Sequence, residues 1–324
     1  MSEKNRNDYV CLSAMLRARE AGFLGRDRLE RMLDEPTFAD ACRVAAEAGY
    51  PDMSEMDVKG INAALAARRA AEVSELGEML GEGGVLALFR LPFDCHNAKA
   101  IVKAEGSEAR CGALLSDAGA YTPDQLRAAY AETDTAGLPA LLCEAIAEAK
   151  QTLARTGNPQ AADNILDRAC FALELDAAKE TDSPFILDYV RSRIDKVNLR
   201  SALRTLGLPR RDELLRGALI EGGSVDPSAI LIAGGKDELG QLFSTTTYAK
   251  AAECGSMTDF EKAADNAEQE SLQSATLISF GPEVVVEYLS ALEGELMSLR
   301  IVLTGRRMGI APATLRERLR ESYV

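Results

Sequence analysis

The chain has 324 residues and a formal charge of −14, so it repels phosphate backbones and anionic lipid overall, which argues against sequence-independent nucleic-acid binding. The length allows two or three domains, and apolar residues make up 47%, as in globular proteins, yet aromatics are only 5% and Trp is absent. A core made from Ala, Leu and Ile suits closely packed helices better than a sheet, which favours β-branched and aromatic residues.

The apolar spacing predicts helices almost throughout, and no strand alternation is convincing. Asp8 to about Met32 carries a helical pattern. A second helix is expected over Met56–Leu80, after a Ser54-x-x-Asp57 start signal and before Gly81, Gly83 and Gly84. A third is expected from about Pro92 to Ala104. Thr122-Pro123-Asp124-Gln125 has the form of a capping box with Pro at the first helical position. Long helices are expected over Leu138–Arg155, over Pro159–Lys179 after Asn158, and from Pro184 to Leu206 after Ser183. Short helices and turns should fill 210–250, punctuated by Gly222-Gly223 and Gly234-Gly235. Thr258-x-x-Glu261 looks like another capping box, opening a helix to about Ile278. Gly281-Pro282 should start a helix to Arg307, and Gly309-Ile310-Ala311-Pro312 a last one ending at Tyr323.

The most informative feature is an internal repeat. Asp94-Cys95-His96-Asn97-Ala98-Lys99, Asp195-Lys196-Val197-Asn198-Leu199-Arg200 and Glu295-Leu296-Met297-Ser298-Leu299-Arg300 share one form: an acid, two residues, a small polar residue, one residue, a base. The acids lie 101 and 100 residues apart. The context repeats too. Leu115-x-x-x-Gly119-x-x-x-Pro123-x-x-Leu126 matches Leu219-x-x-x-Gly223-x-x-x-Pro227-x-x-Ile230, and the third match is the shorter Gly309-x-x-Pro312-x-x-Leu315. Asp188-Tyr189 corresponds to Glu287-Tyr288, with a one-residue slip. The regularity indicates an ancient triplicated helical unit. On a helix the acid and the residue three on share a side, whereas the base five on lies about 140° away. Acid and base of one copy should therefore hold different neighbours, as structural, hydrogen-bonded polar groups.

Catalytic chemistry is not indicated. His96 is the sole histidine and has no counterpart in the other copies, and the seven Cys form no C-x-x-C pair, so a transition-metal site is not expected. An odd count of scattered Cys also reads as reduced, mostly buried thiols rather than a disulfide framework. Gly234-Gly235-Lys236 lacks the flanking residues of a phosphate loop, and Glu268 and Glu270 read as ordinary solvated charges. The start, MSEKNRNDY, has no apolar stretch of a leader peptide. The longest apolar runs, Val85–Phe93 and Val284–Leu292, are interrupted by Arg90 and Glu287, so no membrane span is expected. Basic clusters occur at Arg204, Arg210 and Arg211, and at Arg306, Arg307, Arg316, Arg318 and Arg320. They are either solvated helix faces or a docking surface for an acidic partner.

Phe93–Ala104 resembles the hallmark segment of the C subunit of archaeal and bacterial V-type (A-type) ATPases, the counterpart of the eukaryotic d subunit. Ile194-Asp195-x-x-Asn198-Leu199-Arg200 resembles its second hallmark, and Glu295 to Arg306 with Ile310 and Arg316–Val324 its C-terminal one. Tyr9 to Arg19 is similar to the family's start, so the resemblance runs end to end. Cys95, Ala98 and Ser298 depart from it. The resemblance implies an all-α funnel of three similar helical domains with pseudo-threefold symmetry, here approximately 1–132, 133–250 and 251–324. It implies a non-catalytic rotor subunit on the cytoplasmic face of the membrane, linking central stalk subunits to the membrane proteolipid ring and transmitting torque for proton or sodium transport. No cofactor, metal or catalytic residue is implied. Arg204, Arg210 and Arg211 are the expected stalk contacts. A helical-repeat scaffold of another complex, or a hydrolase using a carboxylate pair, are the competing expectations.

Overall fold

A computed structural model describes residues 9–81 and 83–320 of the chain. Among these residues every regular element is a helix. In chain order they are α1 (Val10–Glu20), α2 (Arg26–Asp34), α3 (Phe38–Glu47), α4 (Val58–Leu80), α5 (Ala87–Lys103), α6 (Glu108–Cys111), α7 (Pro123–Tyr130), α8 (Ala140–Thr156), α9 (Pro159–Lys179), α10 (Pro184–Thr205), α11 (Arg211–Ala218), α12 (Pro227–Ile232), α13 (Lys236–Phe243), α14 (Ala249–Ala252), α15 (Met257–Leu272), α16 (Pro282–Arg307) and α17 (Pro312–Arg318). None of the described helices is long and apolar enough to cross a membrane.

The chain divides into two compact units: one from Leu76 to Glu253, the other joining the residues up to Glu75 with those from Cys254 onward. The unit from 76 to 253 is built around α5, α8 and α9. Thr122 closes a complete capping box at the start of α7. Gly157 adopts the left-handed conformation that ends α8, and the Asn158 side chain caps Gln160 and Ala161 to start α9. Ala145, Ala149, Ala162 and Ala169 are buried in its core, so small residues let the helices approach closely.

The second unit packs α1, α2, α3, α15 and α17 around α16. Every residue from Pro282 to Leu292 is buried, so this half of α16 is covered on all sides. Buried acids of this unit, Glu287 on α16 and Glu72 on α4, are held internally. Glu287 lies 2.7 Å from Arg17, and Glu72 accepts from the Tyr288 hydroxyl at 3.0 Å while pairing with Arg19 and Arg68 at 3.1 and 2.7 Å. These buried charges are kept by partners on three elements.

Several expected boundaries move. The pattern expected to run from Asp8 to Met32 breaks into α1 and α2 across Ala21–Gly25, because a side chain of α16 takes a main-chain N–H in the break. Helix α5 begins at Ala87, ahead of Pro92, since Val85, Leu86, Leu88 and Leu91 are buried and outweigh the disruption Pro causes one turn in. The cap of α15 is Ser256, which accepts from Asp259 N, rather than Thr258. The last described helix stops at Arg318, with Leu319 extended; the expected end at Tyr323 lies outside the described residues.

Candidate functional site

The repeated motif places its acids at three buried points, two in the 76–253 unit and one in the other. The Asp94 carboxylate accepts from Ala120 N at 3.0 Å and Tyr121 N at 3.1 Å. Asp195 Oδ1 accepts from Ser224 N at 2.9 Å and Val225 N at 3.1 Å. The polar residue three on clamps the same loop from the other side. Asn97 donates to Ser116 O and accepts from Ser116 N, and Asn198 does the same with Ile220. An amide carries a donor and an acceptor on separate atoms, so it can hold the N–H and the C=O of one residue at once. Each motif helix thus grips the loop leading to the next short helix, α7 or α12.

Two glycines are dictated by this grip. A Cβ on Gly119 would sit 2.1 Å from Asp94 Oδ1, and one on Gly223 would sit 2.3 Å from Asp195 Oδ1. Their recurrence in sequence is a packing requirement rather than a conformational one, since neither glycine has positive φ.

The third acid does not use the turn that follows it. Glu295 Oε2 accepts from Leu24 N at 2.6 Å, and its other oxygen accepts from the Tyr50 hydroxyl. The turn that Glu295 grips is Gly22–Leu29, near the start of the chain. Gly22, Leu24 and Leu29 stand where Gly119, Tyr121 and Leu126 stand in the first copy, and Leu29 is as fully buried as Leu126 and Ile230. The match at Gly309–Leu315 opens α17 instead. The acid here is one methylene longer, and a Cβ on Gly22 would meet only Arg19 O, at 3.2 Å. Ser298, with a single short hydroxyl, cannot reproduce the two-sided clamp of Asn97 and Asn198.

The bases go elsewhere, as the 140° offset requires. Lys99 pairs with Asp167 on α9, and Arg300 donates from Nε to Asn62 Oδ1 on α4 at 2.8 Å. Arg200 is half-buried on α10. His96 Nε2 donates to the Leu114 carbonyl at 2.9 Å, a local bond with no catalytic geometry.

A second recurrence escaped sequence reasoning. Each short helix after a gripped loop has its C-terminal carbonyls held by a base. Lys150 donates to Tyr130 O at the end of α7. Arg211 donates to Leu231 O and Ala233 O at the end of α12, and Arg306 to Leu33 O and Glu35 O at the end of α2. A cation there satisfies orphan carbonyls and opposes the helix dipole. The bases come from different sequence positions, so no motif announces them.

This accounts for much of the basic surface expected from sequence. Arg316 pairs with Glu30 and Asp34, Arg320 with Asp265, and Arg307 lies 5.2 Å from the Phe38 ring centroid. Of the expected stalk contacts, Arg211 is held at the end of α12, whereas Arg210 is three-quarters exposed and paired with Glu213 on the surface. An open hollow of about 740 Å³ on the 76–253 unit is lined by Arg168, Arg216, Asp212, Glu213 and neighbours. Among the described residues no group of three or more His, Cys, Asp or Glu is placed to hold a metal.

Burial pushes the Asp94 carboxyl up to about 6, against the pull of the Ala120 and Tyr121 N–H groups. Burial raises Asp195 and Glu295 as well. An acid whose folded pKa is raised stabilises the fold fully below its ordinary value and loses that contribution as pH rises through the folded one. Wild-type stability relative to Asp94→Asn should therefore fall by about 2 kcal/mol between roughly pH 4 and 7. Urea unfolding of both proteins across that range measures this, and parallel pH profiles would rule it out.

One sulfur pair corrects the expectation of reduced thiols. Cys95 on α5 and Cys170 on α9 form a disulfide with Cα atoms 6.3 Å apart. The residues are 75 positions apart, so no C-x-x-C spacing could announce them.

Against known proteins, residues 12–318 match the profile of the ATP synthase (C/AC39) subunit family. The C subunit of the V-type sodium ATPase of Enterococcus hirae is 23% identical over 325 aligned positions, covering 98% of this chain and 99% of that protein. The C subunit of the V-type ATP synthase of Thermus thermophilus is 25% identical over 237 positions, 71% of this chain and 68% of that protein. With the profile spanning all three motif helices and the N-terminal turn that the third one grips, the chain belongs to the ATP synthase (C/AC39) subunit family, which holds the C subunits of V-type rotary ATPases.

Proposed function

We propose that this chain is the non-catalytic socket of a V/A-type rotary ATPase, joining central stalk subunits to the membrane proteolipid ring at the cytoplasmic face. The end-to-end family match carries this reading. The gripped loops support it. A torque-bearing part must resist shear between its helices, and short carboxylate-to-main-chain bonds buried at each repeat oppose that shear without relying on surface ion pairs, which salt weakens. The three-repeat organisation, near 1–132, 133–250 and 251–324, belongs to the same proposal. In it, the N-terminal turn completes the third repeat.

The test is a tagged pull-down of this chain from detergent-solubilised native membranes, identified by mass spectrometry. Nucleotide-binding subunits, stalk subunits and the small proteolipid should be recovered together. Recovery of the chain with an unrelated assembly would replace the rotor reading with a helical scaffold of another complex.

Arg204 and Arg210 are the proposed stalk-facing charges. Their joint reversal to Glu is expected to leave ATP hydrolysis of the complex intact and reduce coupled ion transport at least several-fold. Unchanged transport per ATP would remove them from the interface. Arg211→Glu is expected to cost stability instead, because it strips the cap from α12.

A further inference from the structure

The disulfide lies at one end of a ladder between α5 and α9. Lys99 pairs with Asp167, and Lys103 with Asp163 at 3.0 Å. Each step of four along α5, from 95 to 99 to 103, is matched by a step of three or four back along α9, from 170 to 167 to 163. That is the register of two antiparallel helices packed along one seam. Cys95 and Cys170 occupy its next rung, beyond the two ion pairs. Their side-by-side placement is thus set by the seam and does not require the bond.

We propose that Cys95 and Cys170 are a reversible, redox-controlled cross-link that fastens the first motif helix, α5, to α9. In the forward step the two thiols lose two protons and two electrons as the S–S bond forms. A low-molecular-weight disulfide accepts them and leaves as two thiols, through a mixed disulfide on one of the cysteines. Dithiol reductants reverse the step. Because the buried apolar packing of α5 on α9 keeps the helices in register, the reduced chain holds both thiols ready for re-oxidation without refolding.

Burial sets how the exchange occurs. Cys95 is 6% exposed and Cys170 3%, so attack from solution needs local opening of the seam, and a closed seam protects the bond. The other cysteines of the described chain (11, 42, 111, 143 and 254) take no part in a disulfide. Cys95 adjoins Asp94, the acid that grips the Ala120–Tyr121 turn, so the cross-link bears directly on the grip. Oxidation closes a long loop of chain from α5 to α9, restricting the unfolded state and stiffening this seam.

The purified full chain is equilibrated in glutathione buffers from fully reduced to fully oxidised, trapped with N-ethylmaleimide and mapped by peptide mass spectrometry. A linked Cys95–Cys170 peptide should rise with the oxidised fraction and disappear under native conditions with dithiothreitol. The thermal midpoint should be higher by roughly 5 °C in the oxidised form. Cys95→Ala/Cys170→Ala should abolish that difference. Absence of the linked peptide at the most oxidising ratio would overturn the proposal. So would a linked peptide that native reductant cannot remove, or identical midpoints in the two wild-type forms. The wild-type map decides the matter even if the double variant folds poorly.

Discussion

Glu295→Ala is expected to release the N-terminal segment from α16 and to lower stability by about 3 kcal/mol. The carboxylate accepts from Leu24 N and from the Tyr50 hydroxyl, and both donors are buried with it. Alanine leaves two desolvated donors without this acceptor and opens a small cavity. The effect should be regional. Residues up to 75 are joined to those from 254 onward in one unit, so loosening the Leu24 turn should expose the α1–α2 connection to protease before the 76–253 unit yields. Glu295→Gln separates charge from shape. It retains one acceptor of similar reach and should recover part of the loss. Limited proteolysis with urea unfolding measures both. A wild-type cleavage pattern in Glu295→Ala would show that the N-terminal turn is held by its apolar contacts alone.

Gly119→Ala and Gly223→Ala should each cost about 2–4 kcal/mol, large for the addition of one methyl group. The new carbon would lie 2.1 or 2.3 Å from a carboxylate oxygen, so either the loop withdraws and loses its hydrogen bonds or the motif helix shifts. Gly22→Ala should cost much less, about 1 kcal/mol, because only Arg19 O is near, at 3.2 Å. A double-mutant cycle identifies the cause. In an Asp94→Ala background the further cost of Gly119→Ala should shrink to about 1 kcal/mol or less, since the clashing oxygen is gone. Equal costs in both backgrounds would place the strain in the glycine backbone rather than in the carboxylate contact.

Both predictions rest on residues visible in the linear pattern, yet the pattern did not indicate every partner. Asp94, Asn97, Gly119 and their second-copy equivalents were legible because donor loop and acceptor helix lie within thirty residues of each other, and local geometry repeats with them. The third acid bonds a main-chain N–H that lies 271 residues away. Nothing in the residues after Glu295 could indicate that, and the nearby Gly309–Leu315 offered a ready substitute. The capping bases were hidden for a related reason. Lys150, Arg211 and Arg306 perform one task from three different positions, because any long cation that reaches the carbonyls suffices.

The sequence by itself determined the helical class and the starts of most long helices. Apolar spacing, Pro at first helical turns and left-handed Gly at helix ends act through the nearest few residues. Family membership was legible in the same segments, where Asp94, Asn97, Asp195 and Asn198 serve local clamps. Tertiary structure alone decided which turn Glu295 grips, which arginines are spent inside the fold, and which two of seven cysteines meet. Those outcomes depend on groups brought together over 271, 273 and 75 residues, where chain connectivity sets no distance and only the packed helices do.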